Sequence, residues 1–392
     1  MARRASLPSL VAVSITFYVV LVTTLFFAIV HRTGGTFVYA LDDPYIHLAM
    51  AEQIAHGHYG INPLEASSPS SSILWPLLLT PLSGSPLQAY LPLAWNLIFG
   101  LVSGGLIGVF VERLPGFGKG ESPRMLWLQK VAIAVLLIFV ANLASLTFLG
   151  MEHVLQIMLA ICCAIAMVDA LQGRSIPIWC LAAAVIGPSV RYENLALTVA
   201  IAIALAGLRQ TRKAVVVLAL AVTPLIAFGI FLRARGLPML PISVLMKRSA
   251  NVNPMAPDLG AVRTFLYNLS QDVRMAERGS LVLLLVILIA IFLRDRVRMH
   301  RFVLAGTAVV AVAQLVVGKF GWFHRYQVYA LIFVSMVLLR LAMEDRKVRF
   351  MHVAAVLFFC AAPFLRGTSL TPLAAAEVFE QQYQMHRFEA EF

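Results

Sequence analysis

The sequence predicts an all-α protein that crosses a membrane many times. Of its 392 residues, 60% are hydrophobic and only 13% are charged, whereas soluble domains average about 25% charged residues. Several apolar stretches reach the roughly 20 residues that a helix needs to cross the hydrocarbon core of a bilayer. A membrane β-barrel would instead show alternating segments of about 10 residues. These observations favour a polytopic bundle of helices.

Eleven apolar segments are interpreted as the transmembrane helices. In chain order they cover residues 10–30, 87–111, 127–147, 151–171, 176–190, 193–209, 213–233, 280–294, 302–318, 326–341 and 351–365. The first segment is longer than the apolar core of a signal peptide, which spans about 7–15 residues. We therefore expect an uncleaved first helix whose N-terminus lies in the cytoplasm. An odd number of crossings places the C-terminus on the opposite side.

The basic residues agree with this orientation. The net charge is +12, and more than half of the Lys and Arg residues fall in short segments on the side where such residues are enriched, the cytoplasm. No contiguous basic face carries interleaved aromatic residues, so nucleic acid is not expected as a partner. The four cysteines lie in apolar runs without metal-ligand spacing, and we interpret them as small buried hydrophobic residues.

Two long loops interrupt the helices on the outside face, at residues 31–86 and 234–279. Long loops within compact proteins usually carry function. The chain therefore divides into a transmembrane module at 1–233 that includes the first outside loop 31–86, an outside loop at 234–279, C-terminal transmembrane helices at 280–365 and an outside tail at 366–392.

The first outside loop opens with Asp42-Asp43-Pro44. Asp43 suits the N-cap of a helix and Pro44 suits its first position, so a helix is predicted over residues 44–56. This helix is too polar to span the membrane and is expected to lie at the interface. A short apolar run at residues 73–79 predicts a second, partly immersed helix that Trp75 anchors at the interface.

Asp42 lies between the first transmembrane segment and this interfacial helix. That position is at the membrane surface, where a lipid head group would sit. Spacing alone leaves two interpretations open. Asp42 is either a solvated residue before the cap or a carboxylate that acts on a lipid head group.

The first outside loop resembles that of the GT-C superfamily of membrane glycosyltransferases, in particular bacterial members of the arabinofuranosyltransferase type. Members of that superfamily carry an Asp-Asp or Asp-Glu pair at the start of this loop, followed by an interfacial helix. The matching features here are Asp42-Asp43-Pro44-Tyr45-Ile46, the turn Asn62-Pro63 and the Ser/Pro segment 67–72 before the apolar run that contains Trp75.

Four later motifs follow in the order that this resemblance implies, all on the outside face. They are Gly150-Met151-Glu152-His153, Arg191-Tyr192-Glu193-Asn194, Leu240-Pro241-Ile242-Ser243 with a trailing Lys247, and His324-Arg325-Tyr326. The resemblance covers residues 1–340. Tyr192 stands where the family usually has Pro, and Ile242-Ser243 stand where it has Asn-Thr. These departures bear on the donor sugar more than on the reaction type.

The resemblance implies a GT-C-like bundle and an inverting glycosyltransferase of the bacterial inner (cytoplasmic) membrane, with its active site on the periplasmic, outer face. The implied partners are a polyprenyl-phosphate sugar donor, a cell-envelope glycan or glycolipid acceptor and membrane lipids. Asp42 would act as general base, a role that typically contributes roughly 10²–10⁴-fold. The implied site residues are, as catalytic groups, Asp42, Asp43 and Glu152; for the donor phosphate, Arg191, Lys247, Arg248 and Arg325; and for the substrates, Tyr45, His153, Glu193, His324 and Tyr326.

Cations near an outside interface suit a donor with an anionic phosphate, because Arg grips phosphate through two parallel hydrogen bonds and Lys acts as a point charge. A structural pairing with a carboxylate such as Glu152 is the alternative for Arg191. Ordinary contacts with lipid head groups are the alternative for Lys247 and Arg248. A role as an interface anchor beside Trp322 and Phe323 is the alternative for His324 and Arg325. No cofactor is assigned, although Asp42, Glu152 and His153 together offer ligands for a divalent metal ion.

A transporter or flippase of a lipid-linked sugar is the main alternative function, and a non-catalytic membrane assembly protein is a third. A transporter would carry its ionisable residues at mid-membrane on broken helices. The notable charges here collect instead at the outside mouth of the bundle, which favours the glycosyltransferase.

Overall fold

The computed structural model describes residues 7–116, 122–249, 276–320, 325–344, 348–366 and 379–385. In chain order the α-helices are α1 (Leu10–Arg32), α2 (Asp43–Ala55), α3 (Leu74–Leu78), α4 (Leu91–Glu112), α5 (Pro123–Val140), α6 (Leu143–Thr147), α7 (His153–Leu171), α8 (Ile178–Val190), α9 (Leu195–Gly207), α10 (Thr211–Ala234), α11 (Ile242–Ser249), α12 (Ala276–Arg294), α13 (Arg298–Val317), α14 (Val328–Ala342) and α15 (Phe350–Arg366). Residues 379–385 are also helical. Within these ranges no β-strand forms, so the predicted all-α class is confirmed.

Six helices of the described ranges are long and apolar enough to cross a membrane. They are Leu10–Arg32, Pro86–Glu112, Pro123–Val140, His153–Leu171, Thr211–Ala234 and Arg298–Val317. Shorter apolar helices stand at the other predicted positions: Ile178–Val190, Tyr192–Gly207, Gly279–Arg294, Val328–Ala342 and Phe350–Pro363. These apolar helices support a membrane protein, whereas a total of eleven spans stays a prediction.

Helix α7 forms the centre of the bundle. Its residues from His153 to Leu171 are almost all buried, and α4, α8, α9, α13 and α14 pack around it. A helix that is apolar on every side belongs in such a position. The outer helices α1 and α10 instead expose large apolar side chains such as Val20, Phe27 and Ile230, as helices facing lipid do.

Helices α1 and α4 approach each other closely because α4 presents glycines to α1. A Cβ added at Gly108 would come within 2.5 Å of Val11 Cα and 2.8 Å of Leu10 O. Small residues allow this kind of backbone approach between membrane helices. The contact holds α1 firmly, and α1 leads directly into the first outside loop.

The two ends of α1 contact segments that are far away in the chain. At one end, Trp127 Nε1 donates to Pro8 O over 2.9 Å. At the other end, Arg32 in the last turn of α1 pairs with Glu380 over 3.2 Å. Segment 379–385 therefore lies at the end of the bundle opposite Pro8.

The first outside loop differs from its prediction in two ways. Helix α2 begins at Asp43, with Asp42 in the N-cap position and no side-chain cap hydrogen bond. The predicted N-cap role of Asp43 is therefore wrong, because its carboxylate forms an ion pair instead. The predicted interface anchor is also wrong, because Trp75 is fully buried against Ala51 and Leu79. Helix α3 is accordingly a short packed turn.

Two further predictions need correction. The predicted helix 127–147 is interrupted, because Asn142 adopts a left-handed conformation with φ +46° between α5 and α6. Asn is one of the few residues other than Gly that tolerate this region. The predicted outside loop 234–279 contains helix α11, and its residues 250–275 lie outside the described part of the chain.

Candidate active site

Charged side chains meet where α2, α7, α8 and α14 begin or end, at the end of the bundle that carries Arg32. Glu152 is fully buried, Arg191 is 1% exposed and Arg325 is 6% exposed. An ionised group in an apolar bundle is tolerated only when it is paired or hydrogen-bonded. The pairing of these groups therefore defines what the site can do.

Glu152 and Arg191 form the buried pair at the centre of the site. Arg191 Nη1 donates to Glu152 Oε1 over 2.7 Å, and Arg191 Nη2 donates to Glu193 Oε1 over 2.9 Å. The guanidinium also lies over the ring of Tyr326, 5.3 Å from its centroid. Both Nη atoms of Arg191 are thus engaged by carboxylates, as the structural alternative for this residue anticipates.

A proline in α8 sets the position of Arg191. Pro188 has no N–H, so it leaves the carbonyl of Ala184 without its helical donor. The hydroxyl of Thr198 on α9 donates to this carbonyl over 2.7 Å. The helix then ends at Val190, and Arg191 is extended with φ −153° and ψ 136°. Because α8 is short, its C-terminal end lies inside the bundle. The extended Arg191 that follows it therefore directs its side chain to Glu152 at the start of α7.

Two histidines border the buried pair. His47 on α2 is 3% exposed, and its Nε2 lies 3.9 Å from Glu152 Oε2. His153 is 1% exposed, and its ring packs edge-on against Tyr326 with centroids 5.6 Å apart. His153 is one of the predicted site residues, whereas His47 was not predicted to have a role. The sequence did contain an indication for His47: it follows Asp43 by four residues, so both side chains lie on one face of α2.

A second pair joins α2 to the start of α14. Arg325 Nη2 donates to Asp43 Oδ2 over 2.7 Å and to the Tyr326 hydroxyl over 2.8 Å. Asp43 is 42% exposed at its side chain, so the pair reaches the surface of the site. The Nε and Nη1 atoms of Arg325 are buried and have no hydrogen-bond acceptor among the described residues.

Asp42 is exposed at the mouth of the site. Its Oδ1 accepts a hydrogen bond from Gln382 Nε2 over 2.9 Å. Tyr45, one turn further along α2, accepts at its hydroxyl from the Tyr39 backbone N–H over 3.0 Å. Burial raises the pKa of Tyr45, the Tyr39 hydrogen bond opposes this, and the negative charge of Asp42 adds to the rise. The Tyr45 hydroxyl therefore stays protonated beside Asp42.

The serine run of the first outside loop contacts the start of α11 and is followed by a contact to the end of α8. Ser68 is fully buried, and its carbonyl accepts from the Ile242 N–H at the start of α11 over 3.2 Å. The Ile73 N–H donates to Ser189 O at the end of α8 over 3.0 Å. Two motifs that are far apart in the sequence, segments 67–72 and 240–243, are thus in contact.

Some predicted site residues fall outside this description. The side chains of Lys247 and Arg248 and the whole of His324 lie beyond the described part of the structure. Among the described residues, no group of three or more His, Cys, Asp or Glu side chains could hold a metal ion. Asp42, Glu152 and His153 therefore do not assemble into the metal site considered above, because Glu152 is buried in its pair with Arg191.

Comparison of the chain with protein-family models, with curated proteins and with solved structures finds no match.

Proposed function

We propose that this protein is an inverting glycosyltransferase that moves a sugar from a polyprenyl-phosphate donor to a cell-envelope glycan or lipid acceptor at the outer face of the cytoplasmic membrane. One observation carries the proposal. An exposed carboxylate, Asp42, lies next to the Asp43–Arg325 pair, and Arg325 keeps two buried donors without an acceptor among the described residues. A base and a guanidinium with two unused donors at the end of an apolar bundle suit attack on a lipid-phosphate sugar.

The proposed chemistry is a single displacement. Asp42 takes the proton of an acceptor hydroxyl while that oxygen forms a bond to the anomeric carbon. The bond between the anomeric carbon and the phosphate oxygen breaks, and the electron pair leaves with the polyprenyl phosphate. The guanidinium of Arg325 supplies positive charge for the phosphate, and its Nε and Nη1 are two donors without an acceptor among the described residues. Donors that are already in place stabilise charge as it develops on a leaving group.

An apolar cavity supports a ligand with a lipid chain. It has a volume of about 360 Å³ and lies between the C-terminal end of α2, α3 and α10. Its lining includes Ile73, Pro76, Phe228 and Phe231, and Arg235 stacks on Phe231 with 3.8 Å between the guanidinium carbon and the ring centroid. Apolar walls with a cation at the rim fit an amphiphile with an anionic head.

The test is release of free polyprenyl phosphate by purified protein in lipid nanodiscs. A panel of polyprenyl-phosphate sugars is supplied together with cell-envelope glycan acceptors. Asp42→Asn should lower release by roughly 10²–10⁴-fold, because the general base is lost. Glu52→Gln, which removes an exposed carboxylate from the same helix, is the matched control and should retain the parent rate.

Equal release by the parent and Asp42→Asn would remove Asp42 as the base and turn attention to Asp43. Absence of polyprenyl phosphate release with every donor would contradict the proposal that the protein is a glycosyltransferase. A transporter or flippase of a lipid-linked sugar would then be the better candidate, since the buried Glu152–Arg191 pair is the kind of intramembrane charge that transporters carry. Movement of a fluorescent lipid-linked sugar across proteoliposomes would identify that activity.

A further inference from the structure

The C-terminal segment 379–385 lies against the start of the first outside loop. Phe379 is 2% exposed and packs against the rings of Phe37 and Phe148, with centroids 6.3 and 6.4 Å away. Next to it, Glu380 pairs with Arg32 over 3.2 Å. An apolar contact and an ionic contact therefore attach this short helix to the end of α1.

The same segment reaches Asp42. Gln382 and Tyr383 follow Phe379 by three and four residues, so the three side chains share one face of the helix. Gln382 Nε2 donates to Asp42 Oδ1 over 2.9 Å. The Tyr383 hydroxyl lies beside Gly34, where an added Cβ would come within 3.4 Å of it. Gln381 and Gln384 point away and are exposed.

We propose that Gln382 is a positioning residue for the general base, and that segment 379–385 brings this one side chain to the active site. The proposal rests on the proposed function, in which Asp42 is that base. The amide holds Oδ1 and so orients the carboxylate, and Oδ2 is then directed to the hydroxyl of the acceptor.

An amide suits this task better than a cation would. Among the described residues, the charged and titratable groups on the elements that meet near Asp42 include Asp43 and Tyr45 on α2, Arg325 beside Asp43, Arg32 on α1, and Glu380 and Tyr383 on the C-terminal segment. Asp43 is neutralised by Arg325, and Glu380 by Arg32. A cation bound directly to Asp42 would stabilise the carboxylate and weaken it as a base. Gln382 is neutral, so it orients the carboxylate with a smaller loss of basicity.

The kinetic test compares Gln382→Ala and Gln382→Glu with Gln384→Ala and Gln384→Glu, at a half-buried and an exposed position of one helix. Gln382→Ala should lower kcat by about tenfold, because a hydrogen bond to a charged group is lost. It should leave KM nearly unchanged, because the amide orients the base and does not bind the acceptor. Gln382→Glu should lower kcat further, because a second carboxylate removes the donor and places a like charge beside Asp42.

The Gln384 variants should leave kcat and KM unchanged. A change in Gln382→Ala that is confined to KM, or a kcat equal to that of the parent, would mean that Gln382 only holds the segment, and would overturn the proposal. A parent that releases no polyprenyl phosphate from any donor would contradict the proposed function instead.

A chemical test of the contact needs no activity. Gln382→Lys places an amine beside Asp42, and a carbodiimide joins an adjacent amine and carboxylate as an amide with loss of water. Mass spectrometry of the digested protein should find positions 42 and 382 linked, and should find no such link in Gln384→Lys. Absence of the link in folded Gln382→Lys would overturn the placement of the segment, whatever the enzyme transfers.

Discussion

Replacing Arg191 by Met is expected to lower the free energy of unfolding by about 3–5 kcal/mol, the usual cost of removing one partner from a buried pair. Most of this cost should come from Glu152, the carboxylate that would remain buried without its partner. That carboxylate is fully buried, its Oε1 would lose the 2.7 Å contact, and its Oε2 has no hydrogen-bond donor among the described residues. Glu193 is 27% exposed at its side chain and can be hydrated, so it should contribute about 1 kcal/mol or less.

A double-mutant cycle tests this distribution. Glu152→Gln removes the orphaned charge, so Arg191→Met combined with Glu152→Gln should recover about 2–3 kcal/mol relative to the sum of the single changes. Arg32→Met is the control. Its partner is Glu380 at 3.2 Å, and the two side chains are 32% and 42% exposed, so the change should cost about 1 kcal/mol or less.

The measurement is reversible unfolding of the purified protein in mixed micelles at increasing dodecyl sulfate, followed by far-UV circular dichroism. Additive single changes, or a cost for Arg191→Met no greater than that for Arg32→Met, would refute the argument. Glu152 would then be hydrated or protonated in the folded protein, and the two ion pairs would be equivalent.

Two further predictions concern the scaffold. Gly108→Ala should disrupt the packing of α1 on α4 and lower thermal stability, because its Cβ would meet backbone atoms at 2.5 and 2.8 Å. On the same helix, the Cβ of Gly105→Ala would meet only side-chain carbons of Ile15, the nearer at 3.6 Å, so this change should be neutral or slightly stabilising. A loss of thermal stability equal to that of Gly108→Ala would contradict the packing argument. Thr198→Val should cost about 1–3 kcal/mol, because the Ala184 carbonyl becomes a buried acceptor without a donor. Pro188→Ala restores the helical N–H, so Thr198→Val should cost less in that background; an unchanged cost in the same unfolding assay would show that the hydroxyl does not replace the missing donor.

The helices could be predicted from sequence because their signal is local. A run of apolar residues of membrane-spanning length leaves the backbone no other way to satisfy its hydrogen bonds. The start of α2 was predicted within one residue for a similar reason, since an acidic residue followed by Pro is a local pattern. The break at Asn142 was not predicted. A left-handed Asn within an apolar run is stabilised by packing against neighbouring helices, which the local sequence does not show.

The environment of single side chains could not be predicted as well. Trp75 follows a polar segment and precedes Pro76, and this pattern is the same for an interface anchor and for a core residue. Burial against α2 and α4 makes it a core residue. Gln382 gave no signal, because its partner Asp42 is 340 positions away and an amide in a polar tail is unremarkable by composition.

The class of the protein, the positions of most helices and the carboxylate pair at the start of a short helix follow from the sequence alone. These features depend on hydropathy and on residues adjacent in the chain. The pairing of the charges comes instead from the folded arrangement. That arrangement pairs Arg191 with Glu152 and Arg325 with Asp43, and it leaves Asp42 exposed. Such pairing depends on the mutual placement of helices far apart in the chain, and in an apolar bundle the high energy of an unpaired charge makes that placement selective.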